Sequence, residues 1–376
     1  MYFRDVIGQE KVKEQLINAA QTGRFGHALL FLGENGYGGV SLALAFYRYL
    51  VCKNRGEKDA CGACPSCIKL NNLAHPDIHF FYPVATNSKV TSKPLSAHFI
   101  EEWRQMVNED PYFTETDWME KLDMEKKQML ISVNDASEML SKFSLKPYES
   151  EFQTIFIWMP EKMNAQGANR ILKMLEEPPQ GSLFFLVGES ADSLLPTILS
   201  RLQTIKLNQI STPDLRLKLG RQFSIDSDSA GSIANLAHGD YNLAKIIMKE
   251  GGGSDISDRF QTWMRICYKI DFAKIQDWVN EMDRLSRERQ KLFCKHALNI
   301  IRNSLMMNYV NDEMVEVIGS DHQFLGKFAP FIHANNAQHF IEEVEQLIYH
   351  IERNVNGKIA FMDVTLKVCK LLRIKS

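Results

Sequence analysis

The chain has 376 residues, 45% hydrophobic and 24% charged, with a formal net charge of -2. That length allows two or three domains, and the composition is that of an ordinary globular protein. No apolar run approaches the ~20 residues of a membrane-spanning helix. The start, Met1-Tyr2-Phe3-Arg4-Asp5, lacks a signal-peptide pattern, and the near-neutral balance excludes a chain that holds nucleic acid by bulk charge alone.

Residues 8–23 read as a helix with Val12, Leu16, Ile17 and Ala20 on one face. The apolar run Ala28-Leu29-Leu30-Phe31-Leu32 predicts a strand, and Leu42-Ala43-Leu44-Ala45-Phe46 belongs to a helix reaching about Leu50. Between them lies Gly33-Glu34-Asn35-Gly36-Tyr37-Gly38-Gly39-Val40-Ser41. Strand, glycine-rich turn and helix is the setting of a phosphate-binding loop. Gly33 and Gly38 have the spacing of G-x-x-x-x-G-K-[ST], but Gly39 and Val40 stand where Lys and Ser/Thr are needed, and Ser41 comes one residue late. The Lys would reach the β- and γ-phosphates and the hydroxyl would hold Mg²⁺. Gly33, Gly36, Gly38 and Gly39 therefore give the backbone of a nucleotide site without its chemistry. A turn that never held nucleotide and a decayed ATPase loop both fit this stretch by itself.

Cys52, Cys61, Cys64 and Cys67 follow. Thiolates this close in sequence can converge on one tetrahedral ion, and four of them make a structural zinc site. His75 is an alternative to Cys52; Cys52 is preferred because it clips the end of the loop helix to the knuckle. Seven cysteines in all, with no secretion pattern, point to a reducing compartment.

Residues 78–82 predict a second strand. Residues 84–128 break the rhythm and read as a surface insertion with helical patterns over 99–106 and 117–129. Its Trp103 and Trp118 suit a docking patch or packing on the parent domain, packing being the reading preferred. A helix over 136–143 and a buried strand over 153–159 come next. A phosphate-loop ATPase carries its Mg²⁺-binding and water-activating acids at the end of this strand; here Trp158 and Met159 stand there. Glu161 is expected in the first turn of the next helix, where a carboxylate suits the dipole.

A helix ending at Pro178-Pro179, a strand over 182–187, a short helix over 194–201 and a strand over 203–207 complete the alternation. Such alternation predicts a parallel sheet with helices on both faces. Beyond Ser211 the pattern is all-helical, with Gly251-Gly252-Gly253-Ser254 as a flexible linker. Leu298, Ile301 and Leu305, and Phe340, Val344, Leu347 and Ile348, mark amphipathic helices of a bundle without a catalytic constellation. His322, His333, His339 and His350 are scattered through it.

Together, Val6-Ile7-Gly8-Gln9, His27 to Phe31, the four-cysteine module, Leu145-Lys146-Pro147-Tyr148, Leu172 to Pro179 and Ser200-Arg201 resemble the clamp-loader branch of the AAA+ ATPases. The resemblance covers roughly residues 5–245; the helical bundle matches in architecture only, and the insertion has no counterpart. It implies an AAA+ domain over 1–208, a helical lid over 209–252 and a helical collar, the ring-forming domain, over 253–376. Within that branch the chain is most similar to subunits that lack ATPase activity. Motors keep the Lys, Thr and acids, and place an Arg where this chain has Asn242 and a polar sensor where it has Gly188 or Glu189. Taken alone, Arg201 reads as a surface arginine near a helix C-terminus. The resemblance makes it an arginine finger that acts in trans on a neighbour's ATP, although Leu202 replaces the Cys that usually follows.

The resemblance thus implies a non-hydrolysing stator of a bacterial DNA polymerase III clamp loader, in the cytoplasm, with structural zinc and no ATP turnover of its own. Its partners would be motor subunits of gamma/tau type, a delta subunit, the sliding clamp and primed DNA. The competing functions are an active motor of the same fold, which lacks its Lys and acids here, and a zinc-dependent DNA-binding protein, which the charge and the absence of basic-aromatic stretches disfavour.

Overall fold

The computed structural model describes residues 1–124, 127–143, 146–249, 254–309, 320–353 and 355–374. The expected Gly251–Gly253 linker and Leu145 lie outside these residues, and so does the side chain of His322. The chain forms two compact units: Met1–Lys218 with His238–Asn242, and Leu219–Ala237 with Leu243–Ser376. The stretch expected as a lid contributes to both.

In the first unit, α1 (Glu10–Thr22) buries Val12, Leu16 and Ala20 and ends at Gly23, whose φ of 66° suits a left-handed cap. It leads to β1 (Ala28–Leu32), then α2 (Gly39–Val51), α3 (Pro65–Asn71) and β2 (Ile78–Phe81). The insertion follows with α4 (Ile100–Glu109) and α5 (Glu115–Lys121); α6 (Val133–Phe143) precedes β3 (Gln153–Trp158). Then come α7 (Ala165–Glu176), β4 (Ser182–Gly188), α8 (Pro196–Leu199), β5 (Gln203–Lys206) and α9 (Thr212–Phe223). The sheet is the parallel one the sequence predicts, in the order β2-β3-β4-β1-β5. Side chains alternate across it. Leu29, Phe31, Phe185 and Val187 join one core with α1, α2 and the insertion. Leu30, Phe184, Leu186, Ile155 and Ile157 join another with α6 and α7.

The insertion is not a surface appendage. Val84 and Leu130 exchange both backbone hydrogen bonds at 3.1 Å, so the excursion leaves and returns at one point. Trp103 and Trp118 are fully buried, and they belong to the same core as α2. Trp103 stacks on Tyr82 with centroids 4.3 Å apart and meets Phe113, Trp118 and Trp158 at 5.4–5.6 Å. The Trp118 indole donates to the Pro83 carbonyl at 3.0 Å. Packing on the parent domain is thus their role, and a docking patch is not. The expected helix over 117–129 is also shorter, because Asp123 turns to a positive φ of 55°.

The second unit holds the end of α9, then α10 (Ser227–Leu236) and most of α11 (Tyr241–Lys249). The bundle follows: α12 (Ser254–Lys269), α13 (Phe272–Asp283), α14 (Arg287–Tyr309), α15 (Ser320–Phe328), α16 (Ala337–Glu352) and α17 (Gly357–Leu371). The Trp263 and Trp278 rings stack at 5.2 Å, and the Trp263 indole donates to Thr365 Oγ1, tying α12 to α17. Leu298, Ile301, Phe340, Val344 and Leu347 are buried, as their spacing predicts. His333 bonds the Ile374 carbonyl, His339 pairs with Glu342 and His350 with Gln346. No helix among the described residues is long and apolar enough to cross a membrane.

Asp77 closes the edge of the sheet. It is buried and accepts the N–H groups of Tyr148, Glu149 and Ser150 at 2.6–2.8 Å. Burial pushes its pKa up; the three donors outweigh this and hold it below the ordinary carboxylate value. Asp77→Ala is expected to destabilise the first unit by about 3 kcal/mol, because the amides lose a charged acceptor. Since the folded pKa is depressed, the contribution is present at neutral pH and fades below about pH 4. Denaturant titrations of both proteins at pH 7 and pH 3 check this: the gap between them should narrow in acid.

Candidate functional site

β1 delivers the loop at the carboxyl end of the sheet, where open α/β folds place ligands. Gly33 N–H donates to the Gly188 carbonyl at 3.1 Å, which continues the β1–β4 ladder into the loop. Gly36 and Gly38 have φ of 89° and 91°, so left-handed backbone demands glycine at both. Contact demands it again. A Cβ on Gly36 would overlap Asp240 Oδ1, and one on Gly38 would lie within 2.9 Å of the Tyr112 ring and hydroxyl. At Gly39, the first residue of α2, a Cβ would meet Val187 Cγ1 at 2.8 Å. Val40 is buried, and Ser41 Oγ donates to Met1 Sδ at 3.4 Å. The space left over the loop is about 30 Å³, walled by Tyr112, Phe113, Trp158, Met159 and Val187.

Tyr112 comes from the insertion, and no local pattern around it points to this place. Its hydroxyl oxygen accepts the Ile7 N–H at 2.8 Å, and burial holds its phenol well above the usual pKa. Its ring meets Tyr241 edge-on at 5.0 Å. Trp158, at the position expected for an acid, packs on Phe113 at 4.8 Å. Met159 next to it has a φ of 54°. Glu161 lies in a 3-10 turn, Pro160–Lys162, and not in the first turn of α7, because Met163 and Asn164 are extended before the helix begins. Burial raises its carboxyl pKa. Glu189 is raised to about 7, by burial first and then by Glu161, Glu115, Glu34 and Asp240. Glu34 and Glu189 themselves line the space over the loop. Asn242 is buried, and its backbone N–H donates to Asp240 Oδ1 at 2.9 Å.

Arg201 does not line this loop. It follows the short α8, and its guanidinium donates to the Thr197 carbonyl at 2.6 Å and to Ser200 Oγ at 3.1 Å. A second nitrogen pairs with Glu176, the last residue of α7, at 2.5 Å. The side chain remains one-third exposed (33%), so it is held in place without being sealed off.

At the other end of α2 the four cysteines converge. Cys52 caps α2, Cys64 caps α3 and Cys67 lies within α3. The sulfurs of Cys52, Cys61, Cys64 and Cys67 all lie within 4.8 Å of one another. Tetrahedral Zn–S bonds of about 2.3 Å place sulfurs roughly 3.8 Å apart, and Cys64 Sγ is 3.9 Å from Cys52 Sγ. Cys61 Sγ accepts the N–H groups of Ala63 and Cys64 at 3.4 Å, which lowers its pKa to about 6. Amide donors of this kind orient and stabilise metal thiolates. The set fits a tetrahedral ion. His75 is elsewhere, beside the Tyr47 hydroxyl and the Asp77 amide. Beneath the cluster, buried Arg48 bonds the Cys67 carbonyl, Asn71 Oδ1 and the Tyr2 hydroxyl, each at 2.9 Å.

A family model described as DNA polymerase III, delta subunit, matches residues 8–211, more than half of the chain. The DNA polymerase III subunit delta' of Bacillus subtilis is 25% identical over 239 residues, 64% of this chain and 58% of that protein. The delta' subunit of Escherichia coli is 22% identical over 280 residues, 73% and 69% of the two chains. The gamma/tau subunit of Mycobacterium tuberculosis is 25% identical over 252 residues, 67% of this chain and 35% of that one. The match thus spans about three-fifths of the Bacillus subtilis protein and a third of the gamma/tau protein.

Protein purified without chelator is expected to carry one metal ion per chain. Cys64→Ser should lose it and destabilise the first unit, because a structural metal site contributes its binding free energy to folding. Elemental analysis that finds no metal in the folded wild-type protein would overturn this.

Proposed function

The chain belongs to the DNA polymerase III delta-subunit family of clamp-loader proteins, and from that premise we propose that it is a stator of delta-prime type, which does not hydrolyse ATP. Relatives of both delta' and gamma/tau type match it at 25% identity, so the site has to decide between them. One observation carries the reading. The loop backbone is kept, while Gly39, Val40, Trp158 and Met159 stand where the Lys, the hydroxyl and the acids would be. In phosphate-loop ATPases those are the groups that hold Mg²⁺, reach the γ-phosphate and activate water.

In this reading Arg201 is the group the chain contributes to catalysis. A guanidinium offered to a neighbouring gamma/tau-type motor neutralises charge that develops on the transferred phosphoryl group. The helical bundle serves as the collar that seats the chain among motors and a delta subunit. The assembly would open a sliding clamp and place it on primed DNA, in the bacterial cytoplasm. The thiolate centre holds zinc and is structural: its four ligands leave no open position. A gamma/tau-like motor is the competing reading, supported by the equal identities; the missing Lys, hydroxyl and acids weigh against it.

The isolated chain is expected to show no ATP turnover. A coupled ATPase assay that found turnover in the wild type, abolished by a change at Gly38, would establish the motor reading instead.

In a reconstituted clamp loader, Arg201→Ala should leave metal content and ring assembly intact and slow hydrolysis at the one site facing this subunit. A finger is worth about 10³–10⁵ in kcat at the site it serves. Total turnover falls partially if sites act independently and much further if they fire in sequence. Arg201→Lys should rescue incompletely, since Lys lacks the planar fork. DNA- and clamp-stimulated ATPase at wild-type level in an intact Arg201→Ala complex would sink the trans-acting role.

A further inference from the structure

We propose that the phosphate loop has a resident occupant, the chain's own segment Pro111-Tyr112-Phe113, which fills the nucleotide position from the tip of the insertion. This rests on reading Gly33–Gly39 as a phosphate loop; it does not need the stator assignment.

The segment links α4 to α5 and is carried on a rigid support. Val84 and Leu130 pin the base of the insertion, and Trp103 and Trp118 root its helices in the core. From that support Tyr112 lies directly on the loop. Its hydroxyl would be 2.9 Å, and its ring 2.8 Å, from a Cβ on Gly38. The Ile7 amide holds the hydroxyl at 2.8 Å, and Tyr112 is only 5% exposed. Phe113 fills the neighbouring space against Trp158 at 4.8 Å. The remaining volume is about 30 Å³. That is enough for one water, whereas pockets for nucleotide-sized ligands run to several hundred Å³.

The glycines then have a second explanation. Gly36 makes room for Asp240 and Gly38 makes room for Tyr112. A loop that had lost its Lys and hydroxyl would still need both glycines, because protein atoms now press where phosphate oxygens would lie. Val187 closes the last gap, 2.8 Å from where a side chain at Gly39 would begin. Restoring Lys and Thr to the loop is therefore insufficient for binding. Occupancy and lost chemistry are separate locks.

The experiment uses the full chain, with fluorescent mant-ATP and Mg²⁺ as the probe. The repaired loop carries Gly39→Lys, Val40→Thr and Val187→Ala; the opened version adds Tyr112→Ala and Phe113→Leu. A site that is open only about 1% of the time loses about 100-fold in apparent affinity. The opened, repaired protein should therefore bind mant-ATP at least about 100-fold more tightly than the repaired one. Equal affinity in the two, including no binding by either, overturns the proposal. Hydrogen exchange supplies a readout without the multiple variant. Tyr112→Ala alone should accelerate exchange of the Ile7 amide and of amides 36–41 by about tenfold or more. Unchanged protection of the loop overturns it. Either failure leaves the stator reading standing, since that reading depends on wild-type ATP turnover.

Discussion

The pairing of β4 with its two neighbours is the constraint on which the site depends. Its register sets Gly188 opposite Leu32 and Val187 opposite Trp158. Gly33 and Met159 each extend the ladder by one more bond, to the Gly188 and Val187 carbonyls. The loop, the aromatic end of β3 and the acidic end of β4 are therefore brought to one level by backbone hydrogen bonds alone. Side chains then decide what that level can do. In this chain they are a tryptophan, a methionine, a valine and a raised carboxyl, and the proposed stator role rests on that set.

The two ends of α2 share this logic. At its head Gly38 meets Tyr112; at its foot Cys52 joins the thiolate cluster. Between them nearly every residue of the helix is buried, Arg48 included. A helix enclosed this completely cannot adjust by sliding, because close-packed interiors resist small displacements. The four-cysteine cluster and the loop thus sit at the two ends of one buried helix.

The sheet, the loop, the cysteine module and the bundle were legible in the sequence because each is a local pattern: apolar runs, glycine spacing, thiol spacing, helical periodicity. Choosing Cys52 over His75 also needed only local reasoning, since a cap on α2 falls beside the knuckle. What escaped was long-range. Trp103 and Trp118 sit in segments studded with charge, and nothing local says that the apolar face turns toward Tyr82 and Trp158. Tyr112 stands beside Pro111 in a link between two short helices, and its partner, the Ile7 amide, is 105 residues away. Glu161 was misplaced for a related reason. Dipole preference favours a helix start, but the β3–β4 ladder runs on to Met159 and forces a tight turn first.

The contact between Arg201 and Glu176 bears on selectivity among anions. A guanidinium already satisfied by a carboxylate and a carbonyl is not simply available; any new anion has to displace the old one. A carboxylate carries one negative charge, a terminal phosphate more, and the exchange favours whichever offers more charge in matching geometry. If Arg201 serves a neighbour's nucleotide, Glu176 acts as a standing competitor. The arginine would cross over for a triphosphate and return once the terminal phosphate has left, so that an ion pair within one chain would report the chemical state of the next.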